Sequence, residues 1–193
     1  MSEPGNYVDD AAVVRRVLAG EIVAFEEIVD RWQGPLINLA YRFFRDRGKA
    51  EEMAQEAFMK IYRGLPKWRQ DSRFSTWAYT VAMNHYRSAL RRHAPPTVDF
   101  EELAAVTAGG NLVVEVDDRL RAEAVRHAVA TLPPKYREVV VLFYFQEKDL
   151  AETARIAELR EGTVKARLFR ARKLLEQRLG ALMSAPNAQP VEA

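Results

Sequence analysis

Residues 161–178, EGTVKARLFRARKLLEQR, form two faces of different character when they are placed on an α-helix. At about 100° per residue, one narrow stripe is apolar and suited to a protein core; it contains Val164, Leu168, Ala171 and Leu175. The opposite side is small and cationic with one outward aromatic residue; it contains Gly162, Ala166, Phe169, Arg170 and Lys173. Residues 164–178 hold six Lys or Arg and one acid. Such a helix suits a phosphate backbone, although most basic helix faces are only solvated.

The segment before this helix favours the nucleic-acid interpretation. Residues 148–159, KDLAETARIAEL, predict a second short helix with Leu150, Ala154 and Ala157 on one side. A short helix, a tight turn and a longer basic helix form a helix-turn-helix, whose second helix enters the major groove. Gly162 and Ala166 are small enough to permit close approach to the groove floor, which a merely solvated face would not need.

Residues 159–179, LREGTVKARLFRARKLLEQRL, resemble the promoter-reading helix of bacterial RNA polymerase sigma factors of the extracytoplasmic-function group. The resemblance implies that Lys165 and Arg170 make phosphate or guanine contacts and that Phe169 makes an apolar one. The full set of residues expected to face the minus-thirty-five promoter element is Arg160, Glu161, Thr163, Lys165, Ala166, Phe169, Arg170 and Lys173.

The turn of the helix-turn-helix departs from that family's pattern. The family usually has Gly, an apolar residue and a capping Ser, and this chain has Glu158, Leu159 and Arg160. A non-Gly residue in a left-handed turn costs on the order of 1 kcal/mol, and Arg is a poor helix cap. The turn is therefore expected to be looser or differently shaped, or else Arg160 and Glu161 face DNA, which leaves the promoter sequence that is read open.

Charge and composition limit the other possibilities. The chain of 193 residues has a net charge of +2 and no cysteine, which excludes disulfides and cysteine-based zinc sites. Residues 1–92 hold fifteen basic and twelve acidic residues. Residues 93–115 hold no basic and four acidic residues, and residues 116–193 hold fourteen basic and eleven acidic residues. The longest apolar run, residues 139–145, is too short to span a bilayer, and no signal peptide is evident, so a cytoplasmic location without membrane insertion is expected.

The first part of the chain is predicted to be helical throughout. Asp9 or Asp10 caps a helix that ends near Gly20, and an apolar stripe starting at Ile22 is interrupted by Gly34-Pro35. After a turn around Gly48, residues 50–63 form a helix with an inward stripe; the stripe contains Ala50, Ala54, Ala57, Phe58 and Ile61.

The periodicity of residues 50–63 is equally typical of a simply solvated helix, but its outward side combines acids with an exposed thioether, which suits protein docking. Residues 50–68, AEEMAQEAFMKIYRGLPKW, are similar to the sigma-factor stretch that binds the clamp helices of the largest polymerase subunit. The resemblance implies core-polymerase contacts by Glu52, Gln55, Glu56 and Met59.

Residues 71–92 predict a polar loop and then a helix that Ser75 caps. Interleaved aromatics suit single-strand stacking, although such spacing is also typical of a core, where Trp77 is placed; they are Phe74, Trp77, Tyr79 and Tyr86. Residues 74–84, FSTWAYTVAMN, resemble the sigma segment that melts the minus-ten element, in which the preceding loop, here 70–74, pockets a flipped base. Ser88 replaces a common acid, which leaves minus-ten specificity open. The implied contacts are Arg73, Phe74, Thr80, Asn84, Arg87 and Arg91.

The remaining segments complete a two-domain plan. Pro95-Pro96 and Gly109-Gly110 mark an acidic linker at 93–115. Asp117 caps a predicted helix at 119–130, and a further helix runs from Pro133 or Pro134 to Phe145; the inward stripe of the first is Leu120, Ala124, Val125 and Ala128. The expected domains are residues 8–92 and 116–182, followed by a disordered tail at 183–193.

No catalytic pattern is evident. His85, His93 and His127 are the only histidines, and there is no HExxH motif, phosphate-binding glycine loop or nucleophile elbow. His85 falls on an inward helix face, where a satisfied core histidine is expected rather than a ligand. Neither a catalytic residue, a metal site nor a cofactor is expected.

Together the motifs predict an all-α protein of two small helical domains joined by a flexible linker, the second containing the helix-turn-helix. The resemblance implies binding to core RNA polymerase, through its clamp helices and the flap of its second-largest subunit, to promoter DNA, and to an anti-sigma factor. Two other classes stay open. A stand-alone helix-turn-helix regulator would bind duplex DNA as a dimer, and an adaptor would use its basic faces to hold an acidic protein.

Overall fold

The computed structural model describes residues 9–93 and 118–184, and both ranges are built of helices and turns. They form two compact units: residues 9–93 with 154–159 belong to the first, and 118–153 with 160–184 belong to the second. The prediction of an all-α chain is confirmed. The expected linker, the Asp117 cap and most of the expected tail lie outside the described residues. The domain limits 8–92 and 116–182 stay a prediction.

The first unit is built around four α-helices. They are α1, Asp10–Leu18; α2, Phe25–Phe44; α3, Arg47–Gly64; and α4, Phe74–His93. Short 3-10 turns at Ile22–Ala24 and Leu65–Lys67 precede α2 and follow α3. Helix α3 packs against both α2 and α4. Its predicted inward stripe is buried as expected, and Met53 is buried beside it.

The helix ends follow local chemistry. Asp9 Oδ1 accepts a hydrogen bond from the Ala11 amide at 3.0 Å, and Gly20 has a φ of 105° after α1 ends, so both predicted ends of α1 are confirmed. The turn predicted at Gly48 lies earlier in the chain. Arg45 has a left-handed φ of 58°, and Asp46 caps α3 through the Lys49 amide, because its carboxylate can satisfy a free N–H of the first turn.

Gly34-Pro35 does not interrupt α2, contrary to the sequence prediction. Proline removes one backbone hydrogen bond and costs a helix interior about 3 kcal/mol. Ile28 before it and Leu36 and Leu39 after it are fully buried, and their burial holds one continuous axis. Ile22, expected on the same stripe, precedes the helix and is 62% exposed.

The second unit contains the remaining helices. They are α5, Asp118–Ala130; α6, Pro134–Val140; a π-helical segment, Val141–Phe145; α7, Leu150–Ala157, of which residues 154–157 belong to the first unit; and α8, Glu161–Ser184. Helix α8 packs against α5 and α6. Of its predicted core stripe, Val164, Leu168 and Ala171 are buried and Leu175 is half-buried.

Two predictions for this unit need correction. Ala128 is buried as predicted, but Val125 is 38% exposed rather than inward, and Val129, not expected on the stripe, is buried. The helix expected to run to Phe145 changes from α to π geometry at Val141. Among the described helices, none combines the length and apolar character needed to cross a membrane.

Candidate promoter-reading and polymerase-docking surfaces

The turn between α7 and α8 is closed by backbone hydrogen bonds. The Glu158 amide donates to the Arg155 carbonyl at 3.1 Å, and the Leu159 amide donates to the Ala154 carbonyl at 2.9 Å. This pattern is a Schellman motif, which requires a left-handed residue after the helix. Glu158 supplies it with a φ of 56°, at the steric cost that a non-glycine residue has in this conformation.

Helix α7 begins at its own cap and α8 begins directly after the turn. Asp149 Oδ1 accepts from the Glu152 amide at 2.7 Å, so α7 starts later than the expected residue 148. The Arg160 carbonyl accepts hydrogen bonds from the amides of Thr163 and Val164 at 2.9 and 3.1 Å. Arg160 therefore occupies the N-cap position of α8.

The side of α8 opposite its core stripe is open from residue 161 to residue 173. All eight residues predicted to face the minus-thirty-five element are exposed: Arg160, Glu161, Thr163, Lys165, Ala166, Phe169, Arg170 and Lys173. A Cβ added to Gly162 would meet nothing within 4 Å. The small residues therefore leave the first two turns of α8 free of obstruction.

The charges on this side are not neutralised by the described residues of the protein. Across the described residues, no ion pair involves Lys165, Arg170 or Lys173. Phe169 is 57% exposed, and Lys173 Nζ lies 4.8 Å from its ring centroid. The surface therefore presents uncompensated cations around one solvent-facing aromatic ring, an arrangement that suits the phosphates and base edges of a DNA groove.

The predicted minus-ten residues lie along α4 and the loop before it. Arg73, Asn84 and Arg91 are exposed, while Thr80 and Arg87 are half-buried. Arg87 Nη1 donates to Asn84 Oδ1 at 2.6 Å, which holds the amide and the guanidinium side by side. Thr80 Oγ1 donates to the Thr76 carbonyl at 2.8 Å. The structure brings Asn84 and Arg87 together.

The aromatics of this segment are core residues, which contradicts the stacking interpretation for three of them. Phe74, Tyr79 and Tyr86 are at most 4% exposed. Burial raises the pKa of Tyr79 to about 12. The Tyr86 hydroxyl donates to the Leu36 carbonyl at 3.2 Å, and burial raises its pKa further. Trp77, placed in the core from sequence, is half-buried.

Phe74 packs beneath the loop at residues 70–74 and is not exposed on its surface. Its ring centroid lies 5.4 Å from that of Trp68 and 5.8 Å from that of Trp77. Helix α4 starts at Phe74, and the Arg73 carbonyl accepts from the Trp77 amide at 3.2 Å, so the predicted cap at Ser75 is wrong. Gln70, at the start of the loop, has a left-handed φ of 58°.

The predicted docking residues on α3 share one side of that helix. Glu52, Gln55 and Met59 are exposed, Met59 to 52%, and Glu56 is half-buried. Lys49 Nζ contacts both carboxylate oxygens of Glu52, at 2.9 and 3.0 Å.

Tyr62 extends this surface and was missed from the sequence. It is 37% exposed, and its ring contacts Phe25 with 5.1 Å between the centroids. The signal was present, because Tyr62 follows Met59 by three residues and therefore lies on the same helix face.

His85 lies under the docking surface. Its side chain is 2% exposed, and Nε2 lies 3.0 Å from Glu56 Oε2. The two atoms lack hydrogen-bond alignment, so the expectation of a fully satisfied core histidine is not met. Burial lowers the pKa of His85; the nearby Glu56 opposes that shift, and Lys60, Arg92 and Lys49 add to it. Among the described residues, no cluster of acids and histidines fits a metal ion.

Fold and surfaces together define a helical DNA-binding protein with a helix-turn-helix formed by α7 and α8. The family model described as Sigma-70 region 2 matches residues 28–95, and that described as Sigma-70, region 4 matches residues 122–175.

Three bacterial proteins of similar sequence define the family more closely. The chain is 33% identical to the RNA polymerase sigma-H factor of Pseudomonas aeruginosa, covering 90% of this chain and 95% of that protein. It is 31% identical to the ECF RNA polymerase sigma factor SigW of Bacillus subtilis, over 86% and 94% of the two chains. It is also 31% identical to the ECF RNA polymerase sigma-E factor of Escherichia coli, over 90% and 96%. The chain belongs to the extracytoplasmic-function group of the sigma-70 family.

Solved structures show the same fold. The structure of CnrH, in complex with the cytosolic domain of CnrY, gives a TM-score of 0.68 at 22% identity, over 90% of this chain and 98% of that one. The sigma factor RpoE of Bartonella quintana, in complex with the anti-sigma factor NepR, gives 0.62 at 21% identity, over 81% and 96%. This protein is a promoter-specificity subunit that binds core RNA polymerase and directs initiation at minus-ten and minus-thirty-five elements.

Proposed function

We propose that the two roles of this sigma factor are divided between residues 8–92 and 116–182. The first part docks on core polymerase and opens the minus-ten element, and the second reads the minus-thirty-five element. The observation that carries this proposal is the presence of two unlike surfaces on different helices: an acidic, thioether-bearing side of α3 and a basic side of α8 that no described acid compensates.

In the second part, α8 enters the major groove with its first turns against base edges. Lys165 and Arg170 donate to phosphate oxygens or to guanine, and the ring of Phe169 makes an apolar contact. Support comes from the exposure of all three side chains and from the open space around Gly162. Arg160 and Glu161, at the start of α8, face the same groove and adjust the sequence that is read.

In the first part, Asn84 reads a base edge of the minus-ten element while Arg87 and Arg91 hold its phosphates. Arg73 and Thr80 extend this surface at the N-terminal side of α4. The Arg87–Asn84 hydrogen bond of 2.6 Å supports a paired arrangement, because it fixes the orientation of the amide. Phe74 supports the preceding loop from inside rather than touching DNA.

The docking surface on α3 consists of Glu52, Gln55, Glu56 and Met59 and binds the clamp helices of the largest polymerase subunit. An exposed thioether between acids fits an interface with an apolar centre and a polar rim. The second part engages the flap of the second-largest subunit.

Regulation and location follow from the partners. Two proteins with the same fold are found with an anti-sigma factor or with a cytosolic partner domain, and we assign this chain a partner of that kind. Because its target is RNA polymerase, the protein works in the cytoplasm, as a binding subunit rather than as an enzyme.

A library of randomised promoters tests the proposal directly. Purified core polymerase transcribes the library with and without this protein, and the transcribed templates are sequenced. Enrichment of templates with two spaced elements, only when the protein is present, supports the proposed division. If there is no enrichment and the protein alone binds duplex DNA in a salt-dependent way, it acts as a stand-alone regulator and the proposal fails.

A further inference from the structure

A hydrogen bond joins α8 to the π-helical segment Val141–Phe145. Arg172 Nε donates to the hydroxyl of Tyr144 at 2.7 Å, and the guanidinium carbon lies 5.7 Å from the centre of the tyrosine ring. Both side chains face solvent, Tyr144 to 47%. An exposed arginine is thus held in one orientation by a bond and by a ring face.

The partner of Arg172 leaves its charge intact. A carboxylate in the same place would neutralise the guanidinium, whereas a tyrosine hydroxyl is a neutral acceptor. Within the described residues Arg172 has no ion pair, and Nε alone among its nitrogens is engaged. Both terminal nitrogens therefore keep their N–H groups, in the planar fork that matches two oxygens of a phosphate.

The segment that carries Tyr144 is firmly anchored. Val141 and Leu142 are fully buried, and their carbonyls accept from the amides of Gln146 and Lys148 at 3.0 and 3.1 Å. Tyr144 therefore faces solvent from a backbone segment that buried side chains and hydrogen bonds hold in place. Helical segments of this geometry are frequent at functional sites.

The position of Arg172 along α8 indicates what it meets. It follows Lys165 by seven residues, which is two turns and about 10.5 Å along the helix axis, on nearly the same side. The major groove is about 12 Å wide, which is close to the axial distance between Lys165 and Arg172. If the first turns of α8 occupy the groove, Arg172 therefore lies at its edge. The next feature of the DNA is its sugar–phosphate backbone.

We infer that Arg172, positioned by Tyr144, clamps a phosphate at the edge of the groove that α8 enters. The inference rests on the proposed reading of the minus-thirty-five element by α8. Arg172 supplies the contact and Tyr144 is a positioning residue. The contact is to the backbone, so it adds affinity without adding sequence preference.

The test uses holoenzyme assembled from core polymerase and the full chain. Binding is measured over a salt series to two duplexes, one with the elements enriched from the library and one with the minus-thirty-five element scrambled. Arg172→Ala is expected to lower affinity on the order of tenfold on both duplexes, leaving their ratio unchanged within about twofold. The slope of log affinity against log salt falls by about 0.9, the value for one phosphate.

Tyr144→Phe keeps the ring and removes the hydroxyl. It is expected to lower affinity about threefold in the wild-type background and to have no effect alongside Arg172→Ala, since a positioning residue acts only through its partner. Arg172→Lys keeps the salt slope and loses about threefold in affinity, because an ammonium lacks the fork. Thermal unfolding shows whether Arg172→Ala folds. If it does not, Tyr144→Phe and Arg172→Lys test the inference in its place.

Phe169→Ala and Arg170→Ala separate the two possible failures. If both lose promoter binding while Arg172→Ala keeps the wild-type affinity and salt slope, the clamp is wrong and the reading by α8 stands. If all three variants bind like wild type, α8 does not read DNA and the clamp fails with it. Independent, additive losses for Tyr144→Phe and Arg172→Ala also overturn the inference.

Discussion

Lys173 Nζ lies 4.8 Å from the ring centroid of Phe169, one turn earlier on α8. The cation–π contact holds an apolar ring in a solvent-facing position that an isolated phenylalanine would not favour. The ring is thereby pre-ordered beside a positive charge, and the contact joins two of the residues proposed to meet DNA.

Phe169→Ala should weaken promoter binding about tenfold while leaving stability within about 0.5 kcal/mol, because the ring is 57% exposed and contributes little to the core. Holoenzyme binding and urea unfolding of the same preparation measure the two quantities. Phe169→Leu, which keeps an apolar group, should retain most of the affinity. A large stability loss would show that Phe169 is a core residue.

Arg170→Ala should reduce promoter-dependent transcription by at least tenfold, the discrimination that one bidentate contact provides. Binding to core polymerase should not change, because Arg170 lies on the basic side of α8. Run-off transcription and a core-binding assay give the two readouts. Equal loss in both assays would contradict the assignment of α8.

Met59→Asp should weaken core-polymerase binding at least tenfold, because it places a charge at the apolar centre of the α3 surface. The matched control is Leu18→Asp at the end of α1, where the native side chain is 51% exposed and lies outside the proposed surface. Competition for core polymerase against a labelled wild-type chain measures both. Similar losses for the two variants would remove the specific role of Met59.

The stability of the first unit should fall as the pH drops below 7. Burial lowers the pKa of His85 below its ordinary value of 6.5, so the unfolded chain binds the proton more readily than the folded one. The contribution of neutral His85 is complete above pH 6.5 and is lost on acidification, with a slope of at most about 1.4 kcal/mol per pH unit.

Urea unfolding of wild type and His85→Gln between pH 7.5 and 5.5 isolates this effect. As the pH falls, the unfolding free energy of wild type should decrease by more than that of His85→Gln. A difference that is independent of pH would exclude His85 as the titrating group.

Arg45→Gly should raise the unfolding free energy by about 0.5–1 kcal/mol, because glycine adopts a φ of 58° without the steric cost that arginine has. Asn38→Gly, in the interior of α2, should have the opposite sign, since its backbone is helical. Thermal or urea unfolding of both variants provides the comparison. Destabilisation by both would show that the Arg45 side chain has a role beyond its conformation.

The sequence was most informative where one local rule acts alone. Asp9 and Gly20 bound α1 as capping chemistry requires, and the stripe containing Val164, Leu168 and Ala171 is buried because only one face of α8 is apolar. Glu158, which aligns with a family glycine, adopts the left-handed conformation despite its steric cost.

Tertiary packing decided the features that the sequence did not. Pro35 destabilises α2 locally, and the burial of Leu36 and Leu39 offsets that cost. Hydrophobic periodicity gives the size of neither free-energy contribution. Residues 74–86 have aromatics on several faces, so their spacing does not distinguish a stacking surface from a core.

The exposure of Met59 has a chemical consequence. Met53 and Met83 are 2% and 1% exposed, so of these three thioethers Met59 is the one that an oxidant in solution reaches first. The chain has no cysteine to react before it. A sulfoxide at Met59 would make the centre of the α3 surface polar, and mild oxidation would therefore reduce the entry of this subunit into holoenzyme while α8 still reads DNA.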